Sequence, residues 1–313
     1  MRSAERVIAA PTRRAAVTHP ARRVWSEQGA LYPYLYLAPF LVFFIAFEVY
    51  PIFQGLWVSL NAWDLLTPPR FVGLANYTAL VNDGLFLTSL RNTFLFVLLD
   101  APLAIVIPLC LAMLVNDYIP GRTFFRSAFV TPLMISASGV GVLWQWFYNP
   151  AFGIINYVAE GIGLPGQHWL SEAGWATFAI VITTVWWTSG FNMVLFLAGL
   201  QNIPDHLYDA AKVDGAGSVS LFRHITIPGL RYTLLFVGVT TIIGAFRVFV
   251  QIIVMTNNSG GPFDSTRSLV MHLYQTGFQF FRMGGASAVA WVLFIIILGF
   301  TIAQFQMQRG SAD

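Results

Sequence analysis

The chain has 313 residues, 57% hydrophobic and 10% charged, with a net charge of +3, where a soluble domain carries about 25% charged residues. That balance excludes an ordinary soluble enzyme and points to a lipid bilayer, with no nucleic acid as partner. The single cysteine, Cys110, excludes an intrachain disulfide, and neither a metal-ligand spacing nor a Walker-type glycine loop is present, so neither a metal site nor ATP binding by this chain itself is expected.

Residues 1–30 hold Arg2, Arg6, Arg13, Arg14, Arg22 and Arg23 against Glu5 and Glu27. This tail is Arg-rich and acid-poor like a transit peptide, but it has no apolar h-region and reads as a cytoplasmic arm. Residues 31–308 form the membrane domain. A helix rising 1.5 Å per residue needs about 20 apolar residues to cross roughly 30 Å of hydrocarbon. Six stretches qualify: 34–58, 91–115, 123–147, 175–200, 232–256 and 286–307. Pro39, Pro51, Pro102, Pro108 and Pro132 fall inside them, as membrane helices tolerate. In the third, Ser136, Ser138, Gly139 and Gly141 make a small-residue face for close packing. Trp144, Trp146 and Tyr148 near its end read as an interfacial belt. Asn149-Pro150-Ala151 is one NPA triplet where a water channel needs two, and reads as an outer turn.

Between the fourth and fifth spans lies a polar loop, 201–231. Asn202 suits a helix cap and Pro204 a first turn. Asp205 to Val213 is helical in composition, Asp214-Gly215 breaks it, and Ser218 can cap a second short helix that Pro228 stops. Ala210 and Ala211 permit close approach by another backbone, and Gly215 and Gly217 permit a bend. A helix lying passively on lipid would favour Lys, Arg and Trp; a docking element for a protein fits Ala, Gly and Asp better.

Lys and Arg fix the expected orientation. Twelve lie on the side of the N-terminus: the six tail arginines, Arg122, Arg126, Lys212, Arg223, Arg231 and Arg309. Four lie opposite: Arg70, Arg91, Arg267 and Arg282. Both termini and the 201–231 loop are therefore expected in the cytoplasm, with loops 148–174 and 257–285 outside.

Asp100 lies inside the second span and Arg247 inside the fifth, each about nine residues, or ~13 Å, from the outer end of its expected span. Either they pair or share a cavity, or they are unrelated sites. Rings and amides inside spans are further candidates for a solute pathway: Phe246, Phe249 and Gln251 on the fifth span and Trp186, Trp187 and Asn192 on the fourth. Trp144, Gln145 and Glu48 are weaker ones. Arg247 and Gln251, at i and i+4, would share a helix face.

The loop reads D-A-A-x3-G-x9-I-x-I-P: Asp209, Ala210, Ala211, Gly215, Ile225, Ile227 and Pro228. It resembles the EAA motif, E-A-A-x3-G-x9-I-x-L-P, of permease subunits of bacterial ABC importers, with Asp209 for Glu and Ile227 for Leu. VGLANY (72–77), Arg91-Asn92-Thr93, AGLQNIP (198–204), FYNPAFGIIN (147–156) and TNNSGGP (256–262) extend the resemblance along the chain, toward the carbohydrate-uptake branch with its maltose-type and glycerol-phosphate-type permeases. The resemblance implies an all-α, six-span type I importer permease whose 201–231 loop is a coupling helix-turn-helix. It implies a non-catalytic transport subunit with a second permease, two ATPase subunits that bind ATP and Mg, an extracytoplasmic solute-binding protein and a sugar-like substrate. From the residues alone, a six-span secondary transporter or channel is the alternative; it leaves the helix-turn-helix without a purpose.

Overall fold

The computed structural model describes residues 32–117 and 120–309. The arginine-rich tail 1–30 lies outside them. The chain divides into two units, residues 1–52 and 53–313.

In the first unit, α1 (Tyr32–Phe44) passes through a π-helical turn (Ile45–Val49) into α2 (Tyr50–Ser59), which continues into the second unit. Tyr36–Ser59 is apolar enough and, at 24 residues, long enough to cross a bilayer. Exposed Glu48 sits in the π-turn.

The second unit opens on a two-residue hairpin, β1 (Asn61–Ala62) antiparallel to β2 (Arg70–Phe71), and a short helix, α3 (Ala75–Val81). Asp83 then caps α4 (Gly84–Asn116), its Oδ1 accepting from the amides of Leu85 and Phe86. That side-chain cap satisfies two amides with no partner inside the helix, and it starts α4 seven residues before the expected 91. α4 packs along α8 (Ala173–Gln201), with α12 (Arg231–Phe246) against both, and α15 (Met283–Arg309) packs against α12. Among the described residues four helices are long and apolar enough to span: Tyr36–Ser59, Gly84–Asn116, Ala173–Gln201 and Met283–Gln308.

The other two expected spans are bent. Residues 123–147 are α5 (Arg122–Val130) with a 3-10 turn (Thr131–Met134), then α6 (Ala137–Phe147), meeting at 104°. Ile135 and Ser136 are extended at the corner, and Ser136 Oγ accepts from Gly139 N, capping α6. At 1.5 Å per residue the 11 residues of α6 cover only ~16 Å, so the third stretch is a broken span. The fifth, α12, is bent by 70° from the Ser218–Gly229 helix and ends at Phe246. After a break it resumes as α13 (Val250–Met255).

Small residues set the closest approaches. A Cβ on Gly141 would lie 2.8 Å from Val254, which seats α6 on α13. A Cβ on Gly190 would lie 2.2 Å from the Phe129 carbonyl, which seats α8 on α5. The expected Trp belt is corrected: Trp144 and Tyr148 are buried against Trp186, Trp169 and Phe147, and Trp146 remains 66% exposed. Edge-on contacts of Trp144 with Phe147 and Trp186, and tilted ones of Tyr148 with Trp144 and Trp169, hold both rings in the core. Asn149-Pro150-Ala151 is a turn, with Asn149 Oδ1 accepting from Ala151 N. Outside the spans come α7 (Ile154–Gly161) and α14 (Leu269–Tyr274). Cys110 is exposed on α4.

Candidate translocation cavity and coupling surface

Asp100 lies at the midpoint of α4, sixteen residues from Gly84 and from Asn116. It is 2% exposed, and among the described residues no hydrogen-bond partner reaches its Oδ1. A buried, unpartnered carboxyl is costly, so what lies beside it matters. Asp100 lines a cavity of about 500 Å3 formed by α4, the corner before α6, α8 and the broken α12–α13.

Each wall has a local cause. On α8, Trp187 donates its Nε1 to the Ile135 carbonyl at 3.1 Å, holding the corner of the third span open toward the cavity. Asn192, 5% exposed, donates Nδ2 to the Ala104 carbonyl at 2.8 Å and to Thr241 Oγ1 at 3.2 Å, tying α8 to α4 and α12. On the fifth span, α12 ends at Phe246 with Arg247 as its C-cap, and α13 begins at Val250, with Phe249 at φ −153, ψ −60 between them. Arg247, Phe249 and Gln251 all line the cavity. Arg247 and Gln251 reach it from the end of one helix and the start of another; the expected shared face on one continuous helix is therefore corrected. Broken helices that border a cavity at mid-span expose backbone where it can meet a polar solute.

Asp100 and Arg247 share this cavity, and among the described residues no ion pair joins them. Phe246 does not line it: fully buried, it packs edge-on to Phe94 at 5.5 Å and against Phe300 at 5.2 Å. Trp186 likewise belongs to the aromatic core. Gln145 donates to the Val254 and Met255 carbonyls and pins α6 to α13. The residues missed at the sequence level are Thr184, Thr188, Thr240 and Thr241, whose side chains border the cavity. Their i, i+4 and adjacent spacing inside apolar spans was a readable signal of a polar stripe.

The loop after α8 is a helix-turn-helix, with two corrections to its caps. Asn202 ends α8, and Pro204 precedes α9 (Asp205–Val213). Gly217 precedes α10 (Ser218–Leu221) without a side-chain cap. A π-turn (Phe222–Thr226) then leads to α11 (Ile227–Gly229), so Pro228 lies inside the second helix and the stop falls at Leu230. Gly215 has φ +82, the left-handed conformation that only Gly adopts cheaply. Asp209 and Ala210 are exposed on α9, Ala211 is half-buried, and Ile225 and Ile227 pack into the core beneath.

At the opposite end of α4 is a polar cleft of about 840 Å3. There the Thr67 amide and hydroxyl, with the Leu66 amide, donate to Asp64 Oδ1 and hold its carboxyl below the ordinary range. Burial pushes the His272 imidazole below its usual value; Asp83, 3.7 Å away, opposes this, and Arg267 adds to it. Arg267 itself is bound by Asp264 at 2.8 Å.

The model of the family described as binding-protein-dependent transport system inner membrane component matches residues 23–310. The arabinooligosaccharides transport system permease protein AraP of Bacillus subtilis is 36% identical, over 88% of this chain and 87% of its own. The sulfoquinovosyl glycerol transport system permease protein SmoG of Agrobacterium fabrum is 33% identical, over 91% and 93%. A chain of the crystal structure of a bacterial alginate ABC transporter, in complex with alginate pentasaccharide-bound periplasmic protein, superposes with a TM-score of 0.77 at 22% identity. It covers 88% of this chain and 93% of its own, and so shares the fold. A match along nearly the whole chain, together with relatives a third identical end to end, places the described helices in one lineage: the chain belongs to the binding-protein-dependent transport system inner membrane components.

Proposed function

We propose that this chain is one permease subunit of an ATP-driven importer for a sugar, an oligosaccharide or a related polyol or sugar phosphate. It forms half of the translocation pathway in the bacterial cell membrane, with both termini cytoplasmic. A second permease completes the pathway, two ATPase subunits bind ATP and Mg, and an extracytoplasmic solute-binding protein delivers the solute to the end that carries the β1–β2 hairpin. The chain itself is non-catalytic.

The observation that carries the reading is the pairing of two features on α12. One end continues, through the 70° bend, into an exposed helix-turn-helix with a left-handed Gly215; the other ends in the broken wall of the cavity. An ATPase that closes on Asp209–Pro228 would move the helix that lines the cavity. The names of the relatives, arabinooligosaccharides and sulfoquinovosyl glycerol, support a carbohydrate-like solute. So does the cavity's composition: rings from Trp187 and Phe249 against sugar faces, and Asp100, Asn192, Arg247 and Gln251 for hydroxyls.

The test is Gly215→Asp. The position has open space around a would-be Cβ, so the chain should insert and fold with only the modest strain of a left-handed residue. The aspartate should block docking and abolish transport. Normal uptake by this variant would overturn the coupling role.

A further inference from the structure

None of the nine residues of α9 is buried, and its apolar side chains Leu207 and Val213 are 44% and 88% exposed. Within α9, Tyr208 is the residue that joins the apolar cluster of this end, among Phe196, Leu230, Phe222 and Ile225. A polar cleft of about 480 Å3, bordered by Asn116, Asp117, Asp209 and Lys212 and by Tyr208 and Thr226 themselves, lies between α9 and the end of α4. Tyr208 is therefore the side chain by which α9 is anchored in the apolar cluster.

Tyr208 is also bonded at its tip. Its hydroxyl lies 3.0 Å from Thr226 Oγ1. Thr226 Oγ1 also lies 3.4 Å from the Leu221 carbonyl, and either hydroxyl can donate the shared bond. Thr226 is 5% exposed and closes the π-turn, an irregularity that tends to mark functional positions in helices. Its carbonyl accepts from Leu230 N at 3.0 Å, and fully buried Leu230 marks the bend into α12. The line α9, Tyr208, Thr226, Leu230, α12 is continuous and leads to Thr240, Thr241 and Arg247 in the cavity wall.

We infer that the Tyr208–Thr226 hydrogen bond is the strut through which displacement of α9 reaches α12. The pair is a positioning pair that touches neither solute nor nucleotide, and the inference rests on the coupling role proposed for this loop. The packed ring fixes where α9 pivots. The bond at its tip fixes the angle, and without it α9 can roll while the ring stays seated.

The intact complex with its ATPase subunits tests this without knowledge of the solute. In a Cys110→Ala background, Thr184→Cys places a thiol in the cavity wall, and the change in its maleimide labelling rate on adding ATP, Mg and vanadate reads the cavity's response. Tyr208→Phe and Thr226→Val each remove the bond and keep the shape. Both complexes are expected to assemble and hydrolyse ATP at the parent rate, while the ATP-dependent labelling change shrinks about 3- to 10-fold, the worth of one hydrogen bond. The double variant is expected to lose no more than either single one, and Thr226→Ser to restore the response. A full labelling response in Tyr208→Phe, additive losses in the double variant, or failure to assemble in one single variant alone would overturn the strut. Gly215→Asp separates the two readings. If it too responds fully, the coupling role of the loop fails; if it is silent while Tyr208→Phe responds, only the strut fails.

Discussion

Replacing Asp100 by leucine should make the protein more stable and less active. Asp100 is 2% exposed at the midpoint of a 33-residue helix, and among the described residues its Oδ1 has no hydrogen-bond partner. A buried polar group without a partner costs about 1–3 kcal/mol, and an apolar side chain of similar size removes that cost. The added methyl groups of leucine can occupy the cavity that Asp100 borders. For a unit of this size the gain corresponds to a rise of roughly 2–12 °C in melting temperature. Asp100→Asn keeps the polar atoms and should give little of this gain. Uptake should fall at least ~10-fold in Asp100→Leu, since a lost hydrogen bond to a polar solute leaves both the solute and the remaining polar wall unsatisfied. The assay pairs thermal unfolding of the detergent-solubilised complex with uptake into proteoliposomes. A lower melting temperature in Asp100→Leu would refute the reasoning, because it would mean that the carboxyl holds a stabilising partner. Unchanged uptake would refute the cavity as the pathway.

Gly190→Ala would place a Cβ 2.2 Å from the Phe129 carbonyl, where backbone must move; overpacking of this kind costs about 1–3 kcal/mol, so the melting temperature should drop, and an unchanged value would contradict the α5–α8 contact. His272 titrates below its ordinary 6.5 because burial disfavours the imidazolium. The unfolded chain therefore takes up the proton first, and the stabilisation present above 6.5 is lost as pH falls toward the folded value. Melting temperature should decline on acidification below 6.5, and His272→Gln should flatten that decline; equal slopes would refute it.

Much of the architecture was legible. Hydropathy located every apolar stretch to within a few residues, apart from the start of α4, because a bilayer demands length and apolarity in one continuous run. What it could not give was direction. The corner at Ile135–Ser136 turns on two extended residues and a serine cap, and Arg247–Phe249 breaks the fifth span without proline or glycine at those positions. Each break has a tertiary partner that no local pattern names, Trp187 on the Ile135 carbonyl and Ser268 on the Val248 carbonyl. The cavity was half legible for the same reason. A charge inside a span announces itself, so Asp100 and Arg247 stood out, and both line the cavity. Phe246 and Trp144 were misplaced because an aromatic ring looks alike whether it faces a cavity, an interface or a core. The loop was the clearest part: Asp214-Gly215 forced a turn in the sequence, and Gly215 makes it with φ +82. Its caps were read one to two residues off, at Asn202 and Ser218, because several residues that can cap stand close together and only the backbone chooses among them.

The most direct test of the importer reading is mild-detergent purification of the tagged chain from its own membranes, with identification of the proteins that accompany it. The account requires an ATPase subunit and a second permease to come with it, and requires Gly215→Asp to lose the ATPase while the chain itself is recovered in normal amount. A chain that emerges alone or only with copies of itself would contradict the account and return the exposed α9–α11 segment to an unexplained feature of a self-sufficient transporter.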